Sequence, residues 1–330
     1  MKQGRKRPHL CAIILKKEKI AMKQTILGAG GVTANNLTDE LLKRGEAVRL
    51  VSRSAKPYSG VTDVVAADLL NAQAVSEAVK GSEIVYLTAG LKYETAVWQR
   101  DWHILMQNAI DACKRHNAKL IFFDNVYSYG KVDGIMTEST PYNPSSKKGE
   151  IRAKIATQLM EEAKAGNLQA IIARAADFYG PATPLSILTA MIFENLAKGK
   201  TAQYLIRDDV RHSFTYTPDM GKALADISSD ATTWNQIWHL PTANPALTGR
   251  EIIELAAAEL GAKPKTMILG KTMNRILGIF IPVLREMQEM LYQYEVDYHF
   301  DSTKFEKHFG WKPTPYTEGI KQTADFYRKK

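Results

Sequence analysis

The sequence predicts an α/β fold in which a doubly wound parallel sheet is followed by a smaller, mostly helical C-terminal lobe. Three observations predict it. Short apolar or β-branched runs alternate with amphipathic stretches through the first half, a glycine-rich turn joins the first run to the first amphipathic stretch, and the alternation breaks after Pro181. Parallel neighbours require a crossover between them, and such crossovers cover both sheet faces with helices.

Residues 24–27 form the first apolar run, 32–43 a helical pattern and 47–51 a second run, which together make one βαβ unit. Further strands are expected at 64–67, 84–88, 119–123 and 169–173, each separated from the next by a helical pattern. The longest crossover, 94–116, sets Val97, Ile104, Leu105, Ala109, Ala112 and Cys113 along one stripe, available for packing or for a homodimer interface. After Pro181 come helical patterns at 186–198, 249–260 and 272–294. The expected organisation is a basic tail over 1–21, a dinucleotide-binding Rossmann domain over 22–180 and a substrate lobe over 181–330, with some lobe segments returning to the sheet. The apolar run 276–284 is interrupted by Pro282 and bounded by Arg275 and Arg285, so it is too short to span a bilayer and reads as a buried or pocket-lining helix.

Composition narrows the function classes. Among 330 residues, 45% are hydrophobic and 24% charged, the balance of a folded globular protein rather than a disordered or membrane one. The net charge of +9 suggests nucleic acid until it is located: Lys2, Arg5, Lys6, Arg7, Lys16, Lys17 and Lys19 face only Glu18 within the first 21 residues. That places most of the excess in a solvated tail, with no basic face on the remainder, and no nucleic-acid partner is expected. Residues 9–15 are apolar but run into lysines without a small-residue cleavage site, and Met22 stands just before the first strand, so an over-long translational start would account for the tail. Two cysteines, Cys11 and Cys113, exclude a disulfide framework and suit a reducing cytoplasm. No HExxH or CxxC spacing suggests a metal.

The turn reads Gly28-Ala29-Gly30-Gly31-Val32-Thr33-Ala34. Gly28 can take a strained turn, Gly31 leaves room for a diphosphate, and Ala34 lets helix and strand pack closely. The helix N-terminus at Val32 and Thr33 offers unpaired N–H groups, and the spacing fits GxxGxxA better than GxGxxG. At the end of the second strand, Ser52-Arg53-Ser54 lacks the acid that would bind ribose hydroxyls, so Arg53 favours the 2′-phosphate of NADP over NAD. Topology places Asp68 and Leu69 beside the adenine, and Thr88, Ala89 and Gly90 under the diphosphate and nicotinamide ribose.

From Met22 onward these features resemble the extended short-chain dehydrogenase/reductases, the NAD-dependent epimerase/dehydratase family. Gly28, Gly31 and Ala34 resemble its TGxxGxxG/A turn, Asp68 its acid after the third strand, and Val126-Tyr127-Ser128-Tyr129-Gly130 its SSxxVYG segment. Residues 174–181 are similar to RxxNxYGP, with Asp177 in place of asparagine and Phe178 carried over as a cofactor contact. Phe214 to Asp219 is similar to the stretch after the substrate region, and Asp301 to Pro313 to the closing DxxK and LGWxP signature.

The departure falls at the chemistry the resemblance implies. The family's serine, tyrosine and lysine positions hold Asn125, Lys148 and Arg152. A Lys148 hydrogen-bonded to Asn125 and crowded by Arg152 would have its pKa pushed below the free value of about 10.4 and could donate a proton to a carbonyl. Alternatively Lys148 and Arg152 only hold ribose or phosphate oxygens. Tyr127, Tyr129 and Tyr142 lie where a relocated phenol could act, whereas the Tyr127/Lys131 spacing falls in a loop and is accidental. The expected activity is an NAD(P)-dependent oxidoreductase or epimerase acting on a small oxygenated, nucleotide-linked substrate, with Arg207, Arg211, His212, Arg285, Glu286, Met290 and Tyr294 offered by the lobe. The rival is a non-catalytic NAD(P) sensor.

Overall fold

A computed structural model describes residues 23–54 and 56–329, so the readings made for the tail and Cys11 lie outside the described residues. Seven strands make the central sheet: β1 (Lys23–Leu27), β2 (Ala47–Ser52), β3 (Val64–Ala66), β4 (Ile84–Leu87), β5 (Lys119–Asp124), β6 (Ala170–Arg174) and β7 (Gln236–His239). All are parallel, in the order 7-6-5-4-1-2-3. β1 lies between β2 and β4, with Ile26 in register with Leu50 on one side and Tyr86 on the other. Chain direction across the sheet reverses at β1/β4, and a doubly wound sheet opens its ligand crevice at that switch, beyond the strand carboxyl ends.

Alternate residues feed two cores, because successive strand side chains point to opposite faces. Ile26, Leu50, Tyr86, Ile121 and Ile171 pack on one side under α1 (Val32–Lys43) and α5 (Thr217–Ser229). A side chain at Gly221 would come within 2.5 Å of the Asn36 backbone, so α1 and α5 touch nearly backbone to backbone. Leu27, Val85, Leu87, Leu120, Phe122 and Ile172 pack on the other side under α2 (Ala72–Val79), α3 (Thr95–His116) and α4 (Lys147–Lys164). The buried stripe of α3 is Trp98, Trp102, Leu105, Met106, Ala109, Ala112 and Cys113, and Val97 and Ile104 are only partly buried. This stripe is occupied by the chain's own core and is not free for a second subunit.

β7 is a strand the alternation pattern did not reveal, and it lies on the far side of β6. Its polar ends, Gln236 and His239, hide it among loop residues. The C-terminal lobe has its own core, where Leu188, Ile192, Phe193, Tyr204, Phe214, Ile252, Ile253 and Ala256 meet Ile320 and Ala324 of the last helix, Tyr316–Arg328. α6 (Gly249–Leu260) enters through a capping box, with Thr248 and Glu251 each bonding the other's backbone N–H, and ends at Gly261 in the left-handed region.

The helix expected over 272–294 is divided into α7 (Lys271–Phe280), α8 (Pro282–Met287) and a 3₁₀ turn, Gln288–Tyr294. Pro282 has no N–H to continue α7 and instead begins α8. The expectation that this apolar run is buried is corrected: Ile279 is 71% and Phe280 78% exposed. Among the described residues no helix is long and apolar enough to cross a membrane.

Candidate active site

The glycine turn leaves β1 against β2, where Gly28 N and Ala29 N both donate to Val51 O, at 2.9 and 3.0 Å. Gly28 has φ +100° and Gly30 φ +99°, which L side chains avoid. A Cβ on Gly28 would collide with the Ala89 backbone, so the turn is pressed onto the loop that follows β4. Gly30 and Gly31 differ: an added Cβ there meets nothing within 4 Å. Gly31 caps α1 without a side-chain hydrogen bond, and the first turn carries no acid. Open space over an uncapped, uncharged-by-acid helix N-terminus is a cradle for an anion, built of N–H groups at the positive end of the helix.

The other residues read as cofactor contacts lie mostly in the segments that follow the neighbouring strands. Arg53 and Asp68 are exposed in the segments that follow β2 and β3, and Asp68 Oδ1 accepts from Leu70 N at 3.0 Å. Leu69 O accepts from the α3 residue Asn108 at 2.9 Å. Thr88 N donates to Leu27 O at 2.9 Å, tying the β4 loop to the turn, and Gly90 has open space where a side chain would be. Val32 and Thr33 open α1, and Phe178 is partly buried in the core beneath it.

The residues at the three altered positions do not converge on one another. Asn125 Oδ1 accepts from Tyr127 N at 3.1 Å, closing a local turn after β5. Lys148 is fully buried, and its Nζ donates to Thr95 Oγ1 (2.7 Å), Glu286 Oε2 (2.8 Å), Glu289 Oε1 (2.9 Å) and Glu286 O (3.1 Å). The pairing expected with Asn125 and Arg152 is replaced by one with two carboxylates of the lobe. Those carboxylates also cap helices: Glu286 Oε2 accepts from Thr95 N at the start of α3, and Glu289 Oε2 from Lys147 N at the start of α4. Burial alone would raise the Glu286 carboxyl, but Lys148 and Thr95 bring it down to about 2.

Arg152 turns the other way. Its Nε donates to Asp124 Oδ1 at 2.7 Å, and its guanidinium lies 4.5 Å from the Trp102 ring and 4.6 Å from that of Phe122. Arg174 donates to Asp124 Oδ2 at 2.7 Å, so one buried carboxylate holds two arginines. Burial raises Asp124, yet the two arginines outweigh it and hold the group below its ordinary range. Tyr129 bonds His239 at 2.6 Å, and Tyr142 bonds Arg174 at 3.1 Å, so both phenols are engaged in this network.

Tyr127 stands over α4. A Cβ on Gly149 would come within 2.5 Å of the Tyr127 carbonyl, so only glycine lets the 3₁₀ turn Tyr127–Tyr129 settle there. Its hydroxyl is 3.5 Å from that of Tyr93, and its ring stacks on Trp98 with centroids 6.3 Å apart. Burial, then Tyr93 and Asp177, push the Tyr127 phenol well above its ordinary value. Asp177 Oδ2 meets His212 Nε2 at 3.1 Å and the Tyr294 hydroxyl at 3.1 Å. His212 and Tyr294 were legible only as lobe residues, because nothing local in sequence ties them to Asp177. Asp124, Thr95 and Glu289 carried no signal of their own either.

A seven-stranded parallel sheet with its glycine turn at the switch point and a helical lobe over the strand carboxyl ends defines a two-lobed Rossmann protein. The model of the NAD dependent epimerase/dehydratase family matches residues 25–233, and the chain belongs to that family. It is 22% identical to the dTDP-glucose 4,6-dehydratase of Mycolicibacterium smegmatis over 93% of each chain. Among solved structures it is similar to the UDP-glucose 4-epimerase of Thermus thermophilus in complex with NAD, with TM-score 0.74, 18% identity, and coverage of 93% of this chain and 99% of that one. It is also similar to the dTDP-glucose 4,6-dehydratase of Streptomyces venezuelae with NAD and TYD bound, with TM-score 0.77, 17% identity, and coverage of 93% and 97%.

Proposed function

We propose that the chain binds a nicotinamide dinucleotide at the Gly28–Ala34 turn and transfers hydride to or from a nucleotide-linked sugar, or a similar small oxygenated substrate, held beneath the C-terminal lobe. The observation that carries this reading is the open space over Gly30 and Gly31 at the uncapped start of α1. Backbone N–H groups of Gly30, Gly31, Val32 and Thr33 would hold the diphosphate, Asp68 and Leu69 would flank the adenine, and the segment 88–90 and Phe178 would border the nicotinamide end. Arg53 supports NADP over NAD, since a guanidinium pairs with a 2′-phosphate and the strand end carries no acid. When bound, the nicotinamide ring supplies the hydride donor or acceptor. The names of the relatives support a nucleotide-linked substrate, and sparse cysteine supports a cytoplasmic location.

The second reading, a non-catalytic NAD(P) sensor, is favoured by one observation: Lys148 and Arg152 are both consumed by buried ion pairs. One experiment separates the two. The purified protein is titrated with NADPH and NADH by nucleotide fluorescence, then given UDP-glucose, dTDP-glucose and a panel of aldehydes and ketones while nucleotide absorbance and product are followed. Turnover supports the enzyme, tight binding without turnover supports the sensor, and no binding of either nucleotide overturns both.

A further inference from the structure

Both ring nitrogens of His212 face acceptors. Its Nδ1 faces the Gln293 carbonyl at 3.2 Å and its Nε2 faces Asp177 Oδ2 at 3.1 Å. A carbonyl oxygen and a carboxylate can only accept, so both ring nitrogens must donate, or the Asp177 carboxyl must itself carry the proton. His239 provides the contrast. Its Nδ1 faces the Asp301 carbonyl at 2.7 Å, but its Nε2 meets the Tyr129 hydroxyl at 2.6 Å, which can donate, so a neutral ring satisfies both contacts.

We propose that His212 and Asp177 share one bound proton and are the acid–base pair of this site, acting where the family's tyrosine and lysine have been replaced. The geometry gives each a position. His212 is 1% exposed and clamped between the rings of Phe214 (4.6 Å) and Tyr294 (4.7 Å), whereas the Asp177 side chain is 21% exposed. Asp177 Oδ1 has no hydrogen-bond partner among the described residues, and Tyr294 donates to the other oxygen. Asp177 is therefore the group that can reach a substrate oxygen, with His212 behind it as the proton's store. In the reducing direction Asp177 takes the proton as the His212 Nε2–H bond breaks and releases it as a new O–H bond forms on the substrate carbonyl oxygen. The imidazole is left neutral, the carboxylate ionised, and solvent returns the proton. In the oxidising direction the same bonds form and break in reverse.

The pair's neighbours are mostly phenols, and the charges near those phenols are Glu289, acting on Tyr93 and Tyr292, Asp208, acting on Tyr204, and Lys148, whose Nζ lies 4.8 Å over the Tyr93 ring. Tyr93 and Tyr127 face the pair from the loops after β4 and β5, Tyr204 from the strand Ala202–Leu205, and Tyr292, Tyr294 and Tyr298 from the lobe. Burial raises each of these phenols, and the Asp177 charge adds to it, so they are neutral near physiological pH. Arg211 beside His212 is turned to the Ala246 carbonyl and Glu251. A phenol raised in this way holds its proton, so Tyr127 is a poor acid and its phenolate is scarcely populated near neutral pH.

The inference rests on the proposed function for its hydride, but its test does not need the nucleotide. Selective ¹⁵N-histidine and ¹³C-aspartate labelling of the full chain reads the proton wherever it sits. The expected result at neutral pH is His212 with both nitrogens protonated, or Asp177 as the acid. In Asp177→Asn, which keeps the shape, His212 should become a neutral ring with one bare nitrogen. With whichever substrate of the panel is turned over, Asp177→Asn should lower kcat by about a hundredfold or more and abolish the pH limb that tracks the NMR titration, with nucleotide affinity unchanged. Tyr294→Phe should shift that limb without removing it. A bare His212 nitrogen beside an ionised Asp177 in the wild type overturns the pair even if nucleotide binds. A bound proton in a protein that binds no nicotinamide nucleotide supports the pair and overturns the cofactor reading alone.

Discussion

Arg152 Nε and Asp124 Oδ1 are 2.7 Å apart in a contact from which solvent is excluded, so Arg152 serves the core. The same carboxylate receives Arg174, and removing it would leave two buried guanidinium groups uncompensated. Breaking a buried pair by deleting one partner costs about 3–5 kcal/mol. Asp124→Ala should lower unfolding stability by that order in a denaturant titration, and a loss within the error of the extrapolation would refute the account. The arginines depress the Asp124 carboxyl below its unfolded value of about 3.9. Its contribution is therefore complete above that value and disappears as pH falls through the folded pKa. Stability curves of wild type and Asp124→Ala should run parallel at neutral pH and converge in acid.

Gly28 and Gly31 make opposite predictions although both belong to the turn. Gly31 has φ −81° and ψ 161°, extended backbone open to any residue, and a Cβ there meets nothing. Gly31→Val should cost about 1 kcal/mol of stability, the penalty of a poorer helix cap, while weakening NADPH binding by about tenfold or more, because the branched side chain fills the cradle. At Gly28, φ is +100° and a Cβ strikes the Ala89 backbone. Gly28→Ala should destabilise the fold itself by about 1–3 kcal/mol. Thermal melts and nucleotide titrations of the two variants would show whether the losses separate in this way.

How far these features could be read from the chain depended on how local they are. β4, β5 and β6 are mostly apolar runs, and β1, though polar at its start, ends in Ile26-Leu27 directly before a glycine turn that is a pattern within seven residues, so these were visible. β7 was missed because two of its four residues are polar and it returns to the sheet after the start of the lobe. The run 276–284 was misread because apolar content reports a preference for burial, and nothing in it says whether a partner surface exists. Lys148 was read from its spacing to Gly149, but its partners, Glu286 and Glu289, lie on a distant lobe segment. Ion pairs between remote elements leave no periodic trace in sequence.

Those two glutamates make Lys148 a positioning residue whose loss should be felt in the lobe. With Lys148→Met, Glu286 and Glu289 keep their helix-capping bonds to Thr95 and Lys147 but lose the ammonium between them. The carboxylates are partly exposed, so screening reduces the expected loss to about 1–2 kcal/mol. Hydrogen exchange should rise over 282–294 while β1 and β4 remain protected. The Glu286 titration, drawn to about 2 in the wild type, should move up towards the ordinary carboxylate range. Because that pKa is depressed, its stabilising contribution is present above the unfolded value and lost only as pH approaches about 2. Unchanged exchange over 282–294 would show that the lobe is held without Lys148.

The proposed preference for NADP rests on Arg53. It is exposed at the end of β2, one residue beyond Ser52, and the backbone of the same strand anchors the glycine turn through Val51 O. A guanidinium there can form charge-assisted hydrogen bonds with a 2′-phosphate, worth about 1.5–3 kcal/mol for a charged partner. Arg53→Asp replaces that attraction with repulsion and gives ribose hydroxyls the acceptor they lack. NADPH affinity should fall by about tenfold to a hundredfold or more, and NADH affinity should hold or improve. Because the side chain is on the surface, the melting temperature should not move, so any change in affinity reports recognition. Equal weakening of both nucleotides, or an NADPH affinity indifferent to the substitution, would mean that the 2′-phosphate is not read by Arg53.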